Sequence, residues 1–270
     1  MRKLIIIIAA CISMCSCSIL TGVNWNAEGL ASAAGKAMTA ASISDEMVVE
    51  LCRQTIVQMD AQSQIDNGTY AARLARVMDG VNEIDGLPLN YKVYLTDEVN
   101  AFACGDGSIR VYSRLMDIMD DEELTAILGH ELGHVHYQDT KKSIKAAYLA
   151  SAARDVLASA GSYGALAAYL LGDVGEALVS AQYSQRHEYR ADEHGCDFAV
   201  SRGMSPYSMY NALDKLNQIA GDTNTSVLAH MFADHPKTEQ RMEKMKKRAE
   251  KYESKGQKEA RESRESISSK

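Results

Sequence analysis

The run His130-Glu131-Leu132-Gly133-His134 constrains this chain more than any other feature, because its spacing makes chemical sense on an α-helix. Residues four apart share a helical face, so both imidazoles can point at one Zn²⁺ while Glu131, beside the first, reaches the water on that metal. The residues upstream support a helix. Asp120, Asp121, Glu122 and Glu123 place acids in a first turn, and Leu124, Ile127, Leu128 and Leu132 follow the i, i+3, i+4 progression of a buried amphipathic segment.

A catalytic zinc is usually held by three protein ligands, with water at the fourth position. The spacing that would bring a third histidine from the same segment requires Gly at 137 and His at 140; Tyr137 and Thr140 stand there instead. The third ligand is therefore expected from a second helix. The segment 184–192 offers Glu188 and Asp192, four apart and on one face. If Glu188 binds the metal, Asp192 is placed to accept the ring N–H of a ligand histidine and fix its tautomer. By itself the segment also reads as a solvated charged helix, and His187 and His194 are competing donors, although His187 points about a hundred degrees away from Glu188.

These blocks, with two more, resemble the HtpX-like and CAAX-prenyl-protease-like zinc metallopeptidases of the gluzincin type, and most nearly their small bacterial lipoprotein members. The resemblance runs from about Tyr91 to Arg241. It comprises Tyr91–Thr96 followed by Asn100-Ala101-Phe102-Ala103 and Ile109–Tyr112, the H-E-x-x-H helix, the Glu188-x-x-x-Asp192 block, and His235-Pro236 with Arg241. It implies one Zn²⁺ per chain with His130, His134 and Glu188 as ligands, Glu131 as the catalytic base and acid, and Asp192 behind a ligand histidine. It also implies His235 and Arg241 near the metal as aids to catalysis, and a strand at Asn100, Ala101 and Phe102 that binds substrate backbone. Two blocks depart from the family pattern: Ala103-Cys104-Gly105-Asp106-Gly107 replaces a common Leu-Pro-Gly-Gly, and Gln185 stands where Arg is usual, with Arg186 following. The fold implied is α+β and mostly helical, with a small antiparallel sheet beside the motif helix.

The chain begins Met1-Arg2-Lys3 and then Leu4 to Ala10, the charged start and short apolar core of a secretory signal. It is too short to span a bilayer, which takes about 20 apolar residues. Met14-Cys15-Ser16-Cys17 resembles a lipobox, so residues 1–16 are expected to be a signal peptide and Cys17 the lipidated residue, in preference to Cys11. That places the protein in a bacterial cell envelope, anchored to a membrane by its lipid and facing the periplasm. Cys52, Cys104 and Cys196 remain, an odd number of which at most one pair can join.

Residues 17–43, rich in Ala, Ser and Gly, are expected to be a tether, 44–250 the metallopeptidase domain, and 251–270 a charged, disordered tail. Within 146–182, residues 156–172 carry no charge but include several Gly and Ser, so packed helices are expected rather than a membrane hairpin. A net charge of −7 on 270 residues argues against a nucleic-acid partner. The expected activity is zinc-dependent endoproteolysis of misfolded or membrane-associated polypeptides, with an envelope protease or lipoprotein as a further partner. The non-enzymatic alternative is a zinc-holding, chaperone-like lipoprotein, which would need the metal but not Glu131.

Overall fold

The computed structural model describes residues 26–159, 185–222, 235 and 239–268. The expected signal peptide, Cys17 and most of the uncharged Ala-rich stretch lie outside them. Among the described residues no helix is long and apolar enough to cross a membrane.

The chain forms α1 (Ala27–Ser42), α2 (Asp45–Gln62), β1 (Ile65–Asp66), α3 (Thr69–Val77), β2 (Glu83–Ile84) and β3 (Leu87–Pro88). It continues with β4 (Asn90–Tyr94), β5 (Ala101–Ala103), β6 (Ser108–Tyr112), α4 (Ser113–Ile118), α5 (Asp121–His136) and α6 (Asp139–Ala158). The last helices are α7 (residues 185–201), α8 (Ser208–Asp222) and α9 (Glu239–Ser268). The fold is α+β and mostly helical, as expected.

Two compact units share the chain. In the smaller, α1 packs with the part of α6 beyond Lys145: Asn26 N–H donates to the Ser159 carbonyl at 2.6 Å, and Asp155 accepts from Ser32 Oγ at 2.6 Å and pairs with Lys36 Nζ at 2.9 Å. The expected tether is thus helical from Ala27 onward. Alanine is the strongest helix former, and here Ala33 and Ala40 are buried, which needs no long apolar stripe.

The larger unit holds the sheet and the motif helix. Its sheet is mixed, in the order β1-β4-β6-β5, which corrects the antiparallel expectation. After β4 the chain crosses to the outer edge as β5, and a tight turn at Cys104–Gly107 returns it as β6 between the two. β6 must therefore run parallel to β4, with Val93 opposite Val111, and antiparallel to β5, with Phe102 opposite Arg110. Gly107 has φ +84°, and a Cβ there would fall 2.1 Å from the Pro88 carbonyl oxygen, so the turn requires glycine. The core places Val93, Ile109 and Val111 of the sheet with Leu124, Leu128 and Leu132 of α5 and Met209 of α8.

Helix α9 continues to Ser268, through the segment expected to be disordered. Its Lys, Glu, Ala and Arg residues are strong helix formers, and pairs such as Glu243–Lys247 at 3.0 Å support the exposed face.

Candidate active site

Helix α5 begins with a capping box, in which Asp120 accepts from Glu123 N–H and Glu123 accepts from Asp120 N–H. It is buried from Glu123 to Gly133, which puts both motif histidines at the end of a helix fixed along its length. Helix α7 meets it through glycine. A Cβ on Gly195 would lie 2.5 Å from the Ala126 carbonyl oxygen and 3.0 Å from His130 N, and one on Gly133 would lie 3.0 Å from Ala191 Cα. The two backbones therefore touch, and this close crossing carries Glu188 to the histidine pair.

Four donors converge: His130, His134, Glu188 and His235 present ligand atoms within 4.8 Å of one another. His130 Nε2 and His134 Nε2 are 3.0 Å apart, Glu188 Oε1 lies 3.2 Å from His134 Nε2, and Glu188 Oε2 lies 3.5 Å from His130 Nε2. His235 Nδ1 is 3.2 Å from His130 Nε2 and 3.1 Å from Glu188 Oε2. A tetrahedral zinc with bonds of about 2.0–2.1 Å separates its ligand atoms by about 3.3–3.4 Å. The set fits such an ion in spacing and in chemistry.

The outer nitrogens settle the tautomers. His130 Nδ1 lies 2.9 Å from Asp192 Oδ1, and His134 Nδ1 lies 3.0 Å from Asp139 Oδ2. An ionised carboxylate only accepts, so each Nδ1 carries the hydrogen, and once the ring is neutral each Nε2 presents its lone pair to the other donors. Arg241 donates to both Asp192 oxygens at 2.7 Å and lies 2.8 Å from Glu188 Oε2. Arg190, two residues beyond Glu188, donates to Asp139 Oδ1 at 2.8 Å.

The charge around the donors favours a cation. Burial by itself depresses His134, yet Asp139, Glu188 and Glu131 hold it up at about 10. His235 is likewise buried but raised, by Glu131 and Glu188. Burial prevails at His130, which is lowered. Glu188 is held well below its usual range despite burial, because His235, His130 and His134 surround it.

Glu131 is buried beside these donors, with Oε1 3.5 Å from His235 Nε2. The strand β5 flanks α5. Its residues pair with β6 on one side, and no strand pairs with its other edge among the described residues. Asn100 is buried at 3 % exposure, with its Oδ1 accepting from Ala101 N–H at 2.9 Å and its carbonyl from Tyr112 N–H. Its side chain shapes the start of the edge. Ala101 is buried, and Phe102 packs its ring against Tyr94 and Tyr112. Of the competing histidines, His187 lies 3.6 Å from Asp139 and His194 donates to the Gly129 carbonyl, so neither joins the donor set.

Asp139 and Arg190 were not singled out from the sequence. The available signal was an acid five residues after His134.

Two helices crossing to present H-E-x-x-H and a glutamate, beside the edge strand β5, define a gluzincin-type metallopeptidase. The chain belongs to peptidase family M48, whose model matches residues 68–249. It is 40 % identical over 240 residues to the metalloprotease LoiP of Escherichia coli, covering 87 % of this chain and 94 % of that protein. It is 36 % identical to the metalloprotease YcaL of the same organism, over 84 % of this chain and 91 % of that one. A protease HtpX homolog of Polynucleobacter necessarius is 26 % identical, over 70 % of this chain and 77 % of that one.

Proposed function

We propose that this metallopeptidase is a zinc endopeptidase of the bacterial cell envelope, anchored by a lipid on Cys17, that cleaves misfolded or membrane-associated polypeptides. The observation that carries the chemistry is the convergence of His130, His134 and Glu188 with buried Glu131 beside them. Zinc bound there would polarise the scissile carbonyl and lower the pKa of a water to about 7.

Glu131 would accept the proton of the attacking water at its carboxylate and later release it to the leaving amine. His235 would donate to the oxygen that becomes negative, while His130, His134 and Glu188 would hold the ion. Arg241 would hold Glu188 and Asp192 in place. An extended substrate would add to the open edge of β5, paired by main-chain hydrogen bonds, with Phe102 helping to keep that edge straight.

The reading predicts that casein hydrolysis stops on treatment with a zinc chelator and returns with added Zn²⁺. Hydrolysis that persists after the metal has been removed would reject it. The location is tested separately by mass spectrometry of the mature N-terminus: a diacylglyceryl group on Cys17 is expected, and an unmodified, cleaved N-terminus would refute the anchor.

A further inference from the structure

Cys52 and Cys104 lie in one small cluster. Cys52 projects from α2 and is buried with Ile43 and Val48, and Cys104, half-buried at the start of the turn between β5 and β6, packs into the same group. Gly105 N–H donates to Cys52 Sγ at 3.2 Å, which puts the Cys52 sulfur against the backbone next to Cys104. A Cβ on Gly105 would lie 2.9 Å from Val48 Cγ1 and 3.6 Å from Cys52 Sγ, so the turn rests directly on the helix. Cys196 belongs to the main core, with its Sγ facing the Pro206 carbonyl.

We propose that Cys52 and Cys104 are a disulfide site, and that their bond fastens α2 to the turn that ends the edge strand β5. The pair closes to a bond of about 2.05 Å. The oxidant is a disulfide of another molecule, R–S–S–R. Cys104, the more accessible thiol, displaces one R–SH and carries the other R group as a mixed disulfide. The Cys52 thiolate then attacks Cys104 Sγ, forming the Sγ–Sγ bond and expelling the second R–SH. Two cysteine thiols lose two electrons, the oxidant's S–S bond takes them, and the two protons end on the two R–SH.

The surroundings favour the second step. Once Cys104 carries R it has no S–H to donate, but Gly105 N–H still donates to Cys52 Sγ and would steady the thiolate that makes this attack. The link would also join residues far apart in sequence, so it would restrict the unfolded chain as well as the turn. Because Ala103 is the last residue of β5, the bond would hold the end of the edge that faces a substrate in the function proposed above.

The test uses the full chain equilibrated with oxidised glutathione, denatured, alkylated without reduction and digested with trypsin. The expected product joins residues 37–53 to residues 93–110, two hydrogens lighter than the separate peptides, with Cys196 alkylated in 191–202. Recovery of both Cys52 and Cys104 in alkylated form, or a bond from either to Cys196, would overturn the proposal. A second measurement compares melting with zinc in excess. A phosphine reductant should lower the midpoint of the oxidised parent by several degrees and leave a Cys52→Ser variant unchanged; equal shifts in both would contradict it.

Discussion

Asp139 Oδ2 lies 3.0 Å from His134 Nδ1 while its Oδ1 accepts from Arg190 at 2.8 Å, so one carboxylate orients a metal donor and docks the helix that bears Glu188. Outer partners of this kind typically matter 10–100-fold to metal affinity. Asp139→Asn should therefore fold and yet bind Zn²⁺ about 10–100-fold more weakly in a chelator competition. Unchanged affinity would deny Asp139 this positioning role.

The close crossing of α5 and α7 gives a second prediction. Gly195→Ala forces a methyl against the Ala126 carbonyl, where 2.5 Å is available and the obstacle is backbone. Overpacking of this kind costs about 1–3 kcal/mol. The helices should separate, lowering both the melting midpoint and the zinc content. A variant that melts and binds metal like the parent would show that the crossing yields without consequence.

His235→Ala tests the role given to that ring. His130, His134 and Glu188 remain to hold the ion, so zinc content should persist, while loss of a donor to the oxyanion should lower kcat by about 10²–10³. Retained zinc with unchanged kcat would remove His235 from the catalytic account.

Asp60 supplies a pH dependence away from the metal. Burial raises its carboxyl, but Arg110, Lys92 and Tyr94 all donate to it and hold it well below the usual range. A depressed folded pKa gives stability that is present above the unfolded value of about 3.9 and lost as pH falls toward the folded one. Asp60→Asn also strands Arg110, which is 1 % exposed, so at pH 7 it should cost about 3–5 kcal/mol in denaturant unfolding. The gap between parent and variant should narrow below about pH 4. A gap that stays constant from pH 7 to pH 3 would refute this.

The motif helix was legible in the sequence because its apolar period, its acidic first turn and its histidine spacing all describe one local element. Glu188 and Asp192 were legible for the same reason, as a pair on one helical face. The parallel run of β4 and β6 was not, because strand order depends on where the chain crosses the sheet rather than on residue pattern. Asp139 was hidden by the turn at Gln138, whose φ of +52° redirects α6 back toward His134. Helix α1 escaped notice because alanine burial leaves no strong period. The pairing of Cys52 with Cys104 needed the fold, since a helix and a hairpin turn far along the chain meet only in the folded unit.

The most direct test of the central claim is zinc content measured beside casein hydrolysis for the chain lacking residues 1–17 and for its Glu131→Gln variant. The account predicts about one Zn²⁺ per chain in both, with hydrolysis in the parent and a loss of about 10²–10⁴-fold in the variant. A variant that keeps its zinc and cleaves as fast as the parent would contradict the account, because Glu131 would then not be the base.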